Sequence, residues 1–213
     1  MPTSIRNSIA ATIAAAVLLT AGCGRAARNE AATAPDIPVE SLCTADLALR
    51  LGRSLESELI ASRDGGMRYS HIGIIIRSDT GAVVVHIEPS PFTDERVRCD
   101  SAKDFFSSDR AATGAVMRLG GLDDSQRAAI EDYARRLSDS PTTFDHDYSL
   151  ADSTRMYCTE LTERAFAAVG ISLSQGRRHK PPMAKEPVIL PSDIARNDSL
   201  ATIWSFDNSR RER

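Results

Sequence analysis

The sequence predicts an α+β fold, in which strands and helices are grouped along the chain rather than strictly alternating. Two apolar runs, at 71–76 and 82–88, flank the turn-forming residues 78–81, a pattern typical of an antiparallel hairpin. Further along, residues 129–137 and 158–169 carry apolar side chains at helical spacing. A paired sheet followed by amphipathic helices is the arrangement that these patterns favour.

The other elements are predicted from local patterns in chain order. Residues 46–50 alternate like a half-buried strand, and Gly52 ends that strand before a helix over 55–61. Residues 102–107 are expected to form a helical turn, and 115–119 a further strand.

Two longer helices follow. Asp123 or Asp124 is expected to cap the first, and the second is expected to begin near Cys158 and to end at Gly170. Leu161, Ala165 and Val169 lie on the same face of that last helix as Cys158.

The N-terminal residues predict export. Arg6 is the only charge within residues 1–22, and the uncharged run of 14 residues from Ile9 to Gly22 has the length of a signal-peptide core, short for a bilayer span. Small residues then precede Cys23, as in a bacterial lipobox. We expect residues 1–22 to be removed and Cys23 to receive lipid, which would make the protein a membrane-anchored lipoprotein on the periplasmic face of the bacterial envelope. The alternative is an ordinary secretory signal cleaved elsewhere.

The remaining chain reads as one domain. Residues 23–41 are small and polar and predict a flexible tether, residues 42–206 form the domain, and residues 207–213 form a polar tail. The 213 residues include 26 basic and 29 acidic side chains, a net charge of −3, so nucleic acid is not an expected partner. The 4 cysteines form no C-x-x-C pair, which argues against a zinc ribbon or a thioredoxin-type site.

The hairpin places a histidine beside a polar partner. A four-residue loop at 78–81 sets His71 opposite Glu88, whereas a two-residue loop at 78–79 sets it opposite His86. A carboxylate there would orient the imidazole and favour its charged form. The alternative is a surface pair at the open end of the hairpin.

Cys158 is the candidate nucleophile. At the first turn of a helix, and near an imidazolium, a thiol is expected to ionise readily and to be reactive at neutral pH. A buried, inert cysteine is the alternative. A cysteine, a distant histidine and a carboxylate together are a candidate set for thiol acyl transfer, which needs no cofactor.

Five segments, taken in order, resemble the circularly permuted NlpC-type papain-like hydrolases, the YiiX/YaeF-like group. They are Asp46-Leu47-Ala48-Leu49-Arg50 with Gly52, Tyr69-Ser70-His71-Ile72-Gly73-Ile74, Ile87-Glu88, Phe144-Asp145 and Tyr157-Cys158-Thr159-Glu160-Leu161. The resemblance implies a papain-like fold with a central antiparallel sheet packed against the cysteine-bearing helix. It also implies a peptidase or amidase in which Cys158 is the nucleophile, His71 the general base and then acid, and Glu88 the residue that orients His71.

The resemblance extends to the substrate site, with one departure. The family usually has Tyr-Asp where this chain has Phe144-Asp145, and either Tyr148 or Tyr157 could supply the missing hydroxyl. These four residues are the expected substrate-binding set, and the Cys158 backbone N–H is expected to meet the oxyanion. The implied substrates are an amide of peptidoglycan stem peptides or a lipid acyl ester or amide.

Two rival functions and one cross-link complete the predictions. His71, His86 and Glu88, or Asp145-His146-Asp147, could ligate a metal, but neither set has a known metal-site spacing, so no metal is predicted. A catalytically inactive envelope binding module is the alternative function, and Phe144 is its best support. An exported domain also permits Cys43 to bridge Cys99.

Overall fold

The computed structural model describes residues 35–63, 67, 69–90, 94–152, 154–180 and 186–208. The predicted signal peptide, the lipidation residue Cys23 and most of the predicted tether lie outside the described residues. Among those residues no helix combines the length and the apolar character needed to cross a membrane.

The described residues form eight strands and five α-helices. In chain order they are β1 (Leu47–Leu51), α1 (Leu55–Ser62), β2 (His71–Ser78), β3 (Gly81–His86), β4 (Arg98–Ser101), α2 (Ala102–Phe105), β5 (Thr113–Leu119), α3 (Asp124–Ser138), β6 (Thr143–Phe144), β7 (Arg155–Met156), α4 (Cys158–Ala167), α5 (Pro191–Ala195) and β8 (Leu200–Asp207). A 3-10 turn at Val39–Ser41 precedes them.

A six-stranded antiparallel sheet in the order β4-β3-β2-β1-β5-β8 is the centre of the domain. One face packs against α3 and α4 through a large apolar cluster, and α4 lies directly on β2. The other face is covered by a smaller cluster that includes Phe105 and Phe106 of the α2 region. The α+β class and the sheet packed on the cysteine-bearing helix are confirmed.

The hairpin of β2 and β3 has the register predicted for the longer loop. Arg77 pairs with Ala82, and the pairing of Ser78 with Gly81 tightens the turn to two residues. Pairing of β2 with β3 begins only at Ile74 and Val85, because β3 ends at His86. The first residues of β2 are therefore open on that side of the sheet, and α4 begins there.

Local signals marked several boundaries correctly. Asp123 caps α3, accepting a hydrogen bond from the N–H of Gln126 and completing a capping box. Gly170, at φ +78°, follows the end of α4. By contrast, β1 is buried on both faces rather than half-buried, because apolar clusters cover both sides of the sheet at this strand.

Two edge strands were not predicted from the sequence. β4 and β8 lie at the two edges of the sheet, and β8 continues to Asp207, one residue into the predicted tail. Edge strands carry short or mixed polar patterns that are weak signals in the sequence alone.

The predicted bridge between Cys43 and Cys99 is not made. Both thiols are free. Cys43 lies two residues before Ala45, and Cys99 lies next to Asp100. A row that runs across the sheet from Ala45 through Ile75 and Val84 to Asp100 contains three strand spacings. Three spacings amount to about 14 Å, whereas bridged cysteines keep their Cα atoms within about 7 Å. The central strands β2 and β3 therefore hold the two cysteines apart.

Candidate active site

A cleft of about 220 Å³ opens at the end of the sheet where β3 stops. Cys158 and His71 both line it, so the two main sequence-predicted residues meet there although 87 positions separate them. The other lining residues are Arg50, Gly52, Ser54, Ser57, Ile60, Ser70, Glu88, Pro89, Phe144 and Tyr148.

Cys158 is the first residue of α4 and is half-buried. The backbone N–H groups of Ile72, Thr159 and Cys158 itself surround the sulfur and favour its charged form, which lowers its pKa. Because the side chain of Tyr157 does not cap the helix, the first backbone N–H groups of α4 remain available to the thiol. This is the arrangement that can also stabilise an oxyanion formed beside the sulfur.

The resting thiol is nevertheless protonated. Burial raises the pKa of Cys158 to about 11, and the three backbone N–H groups offset only part of that rise. The expectation of a ready thiolate at neutral pH is therefore wrong in direction, because loss of solvent outweighs the helix terminus.

His71 is buried in β2 and hydrogen-bonded to a second histidine. Its Nε2 lies 2.9 Å from Nδ1 of His86 in β3, and the rings meet edge to face. Phe105 stacks on His71 with ring centroids 5.6 Å apart and packs against His86 as well. Both imidazoles are thereby held in fixed orientations.

Glu88 lies beside His71 but is committed to other partners. Its Oε2 is 3.9 Å from His71 Nε2, which is beyond hydrogen-bond distance. Arg50 donates to that same oxygen, and Arg98 donates to Oε1 at 3.1 Å. The structure thus puts His86, rather than the predicted Glu88, in hydrogen-bond contact with His71.

These surroundings keep His71 neutral. Burial lowers its pKa well below the usual value, and the charges of Arg50 and Arg98 lower it further. The prediction that a carboxylate would favour the charged form of His71 is therefore wrong, because the guanidinium groups of Arg50 and Arg98 offset the charge of Glu88. A neutral imidazole beside a neutral thiol is the resting pair.

Two of the four predicted substrate-binding residues line the cleft. Phe144 and Tyr148 do so, with their rings edge to face at 5.8 Å. Tyr148 has a left-handed backbone, at φ 53°, and the buried carboxylate of Asp145 holds this loop by accepting from the N–H groups of residues 147 and 149.

The other two serve the scaffold. Asp145 is fully buried, and Tyr157 is buried with its hydroxyl accepting a hydrogen bond from the N–H of Ile189. Of the two tyrosines, Tyr148 is therefore the one that lines the cleft.

Sequence reasoning missed the charged residues behind the histidines. Asp100 in β4 accepts from Arg98 at 2.8 Å, from Arg110 at 2.5 Å and contacts His86 Nε2 at 3.2 Å. Arg50 is buried, donates to the carbonyl of Phe105 at 2.8 Å and lies over its ring. No motif marked β4, although Arg98 and Asp100 sit two residues apart and so share one face of a strand.

Comparison with known proteins identifies the fold. No protein-family model matches the chain, and no curated protein matches it. Among solved structures, the chain is similar to the metalloprotein YiiX from Escherichia coli O157:H7, with 19% sequence identity and a TM-score of 0.62. The match covers 78% of this chain and 98% of YiiX, and it supports the predicted YiiX-like fold.

Proposed function

We propose that this protein is a cysteine hydrolase that cleaves an amide or ester through Cys158 and His71. The observation that carries the proposal is the convergence of a helix-terminal thiol and an oriented, neutral imidazole in one cleft. His71 removes the thiol proton as the sulfur attacks the acyl carbon, then delivers that proton to the leaving group. Water activated by His71 subsequently releases the acyl-enzyme.

The roles around His71 follow from the contacts. His86 is the residue that orients it, since a hydrogen bond joins the two rings. Glu88 offsets the charges of Arg50 and Arg98, so that His71 can accept a proton without two uncompensated cations beside it. The N–H groups at the start of α4 are placed to receive the oxyanion.

A metal does not fit this arrangement. His71, His86 and Glu88 are the one metal-like cluster among the described residues. Their imidazole nitrogens, at 2.9 Å, are closer than the roughly 3.3 Å kept by two ligands of a tetrahedral zinc ion. The guanidinium groups of Arg50 and Arg98 occupy the Glu88 oxygens and would repel a cation. The proposed mechanism therefore uses no metal ion.

The exposed surface of α1, the helix beside the cleft, favours a lipid acyl substrate over a stem peptide. Leu55 and Leu59 of α1 are 85% and 65% exposed and are the large exposed apolar side chains among the described residues. They stand one turn apart on the helix that also brings Ser57 and Ile60 into the cleft. An exposed apolar pair on a helix that also contributes to an acyl-transfer site suits contact with lipid chains.

Cellular location is part of the same proposal. A lipid on Cys23, after export by residues 1–22, would hold the domain at the envelope membrane where both substrate classes occur. We expect radiolabelled palmitate to be incorporated into the wild-type chain and not into Cys23→Ser.

The test of the hydrolase compares variants on three substrates: a water-soluble short-chain ester, phospholipid vesicles and purified muropeptides. We expect Cys158→Ala and His71→Ala to abolish product from the ester, whereas Cys43→Ala removes a half-buried thiol outside the cleft and leaves the rate unchanged. Vesicles should release fatty acid, and Leu55→Ser/Leu59→Ser should reduce that release at least fivefold while sparing the ester.

Other outcomes decide against parts of the proposal. Cys158-dependent cleavage of muropeptides alone would overturn the lipid preference. Activity abolished by a chelator and restored by zinc would overturn the metal-free assignment. No Cys158-dependent product from any substrate would favour the inactive binding module, which the raised pKa of the Cys158 thiol also suits.

A further inference from the structure

A continuous line of three side chains runs from the cleft to the edge of the sheet. His71, His86 and Asp100 belong to the neighbouring strands β2, β3 and β4, and their contacts are 2.9 Å and 3.2 Å. His86 is completely buried in the middle of the line. Each member can therefore affect the next through a single hydrogen bond.

The carboxylate at the end of the line is ionised. Burial by itself would raise the pKa of Asp100, but the hydrogen bond from His86, the charge of Arg98 and the hydrogen bond from Arg110 hold it well below its usual range. Arg98 and Arg110 donate to Oδ2 at 2.8 and 2.5 Å, the same oxygen that faces His86. An ionised carboxylate can only accept hydrogen bonds.

The donor and the acceptor of each hydrogen bond along the line can then be assigned, starting from Asp100. Since Asp100 accepts, Nε2 of His86 must carry a proton. A neutral imidazole has one N–H, so Nδ1 of His86 is an acceptor, and the ring is neutral because burial lowers its pKa. Nε2 of His71 must accordingly donate to it, which leaves Nδ1 of His71 with its lone pair.

We propose that Asp100 is a positioning residue that sets the tautomers of both histidines and so makes Nδ1 of His71 the base for Cys158. The inference rests on the proposed hydrolase function for its kinetic consequence, but not for the tautomers themselves. During attack the Cys158 proton moves to Nδ1 of His71, and the imidazolium keeps its Nε2 proton in the bond to His86. No proton passes to His86 or Asp100.

Glu88 cannot set these tautomers. It lies 3.9 Å from His71 Nε2, and both of its oxygens are occupied by guanidinium groups. Asp100, by contrast, contacts His86 directly.

The first experiment measures the tautomers in the full wild-type chain labelled with 15N at histidine. We expect the 15N spectrum to show that both His86 and His71 carry their proton on Nε2 and none on Nδ1. The four histidines are assigned by single substitution. A proton on Nδ1 of His86 in the wild type would overturn the proposal without any variant of Asp100.

The second experiment uses Asp100→Asn, whose amide N–H can donate to His86 Nε2 and reverse the relay. We expect both rings to move to the Nδ1–H form and kcat on the soluble ester to fall about 100-fold with KM within twofold, as expected for a base in the wrong tautomer. Asp100→Glu, which keeps an acceptor, should recover the wild-type tautomers.

Asp104→Asn is the matched control, because that carboxylate lies close by in α2 but is exposed and bonds Ser101. Unchanged histidine spectra in folded Asp100→Asn would overturn the proposal. Reversed tautomers in a chain that cleaves no substrate would uphold the relay and count against the hydrolase function alone.

Discussion

Replacing Gly73 by alanine should damage the sheet at the point where the two histidines meet. A Cβ atom at this position would lie 2.5 Å from Val84 Cγ1, 2.9 Å from His86 Cβ and 2.9 Å from the carbonyl oxygen of Val85. The last two atoms belong to, or are attached directly to, the β3 backbone, and Val84 is fully buried. Rotation of a flexible side chain therefore cannot relieve these three close contacts.

The magnitude follows from the need to move β3. Overpacking a buried site costs about 1–3 kcal/mol, and a value of about 2 kcal/mol lowers Tm by roughly 4–8 °C in a domain of this size. The same movement separates His86 from His71, so Cys158-dependent turnover should fall more than stability alone explains. Urea unfolding at neutral pH and ester hydrolysis at a temperature where the variant is fully folded measure the two effects.

Gly120→Ala is the control for the general effect of removing a glycine. Its Cβ would have only the Ser199 carbonyl oxygen nearby, at 4.0 Å, so its unfolding free energy should stay within about 0.5 kcal/mol of wild type. A Gly73→Ala protein as stable as Gly120→Ala would refute the claim that close approach of β3 requires glycine.

Three further outcomes are expected. The alkylation rate of Cys158 by iodoacetamide, in a chain without other thiols, should be low at pH 7 and rise up to pH 10 or beyond, since its pKa is about 11; a plateau reached near pH 7 would contradict the neutral resting pair. His71 has a lowered pKa, so its stabilising contribution is complete above the unfolded value of about 6.5 and is lost as the pH falls. The unfolding free energy should therefore drop between pH 7 and pH 5, and drop less in His71→Gln; equal slopes would refute this assignment. Asp145→Ala leaves the N–H of Ser149 unpaired and should cost about 1–3 kcal/mol by urea unfolding, with a raised KM for the ester; an unchanged KM would show that this loop does not shape the cleft.

Local patterns in the sequence predicted much of the fold. Alternation and the turn residues at 78–81 predicted the hairpin and narrowed its register to two alternatives, of which the fold has the first, and Asp123 and Gly170 marked helix boundaries correctly. These signals succeed because capping, turn formation and side-chain alternation depend on residues only a few positions apart.

The chemistry of the cleft needed the tertiary structure. The sequence by itself determined that Cys158 begins a helix and that His71 begins a strand, since both follow from local periodicity. Only the folded chain decided that His86 contacts His71 and that Asp100 lies behind His86. These contacts depend on where β3 stops pairing with β2 and on the register in which β4 pairs with β3. It also decided that the thiol and the imidazole are neutral. Burial raises the pKa of the Cys158 thiol and lowers that of His71, and Arg50 and Arg98 from other strands lower the His71 pKa further. Desolvation and long-range charge have no signature in a linear pattern of residues.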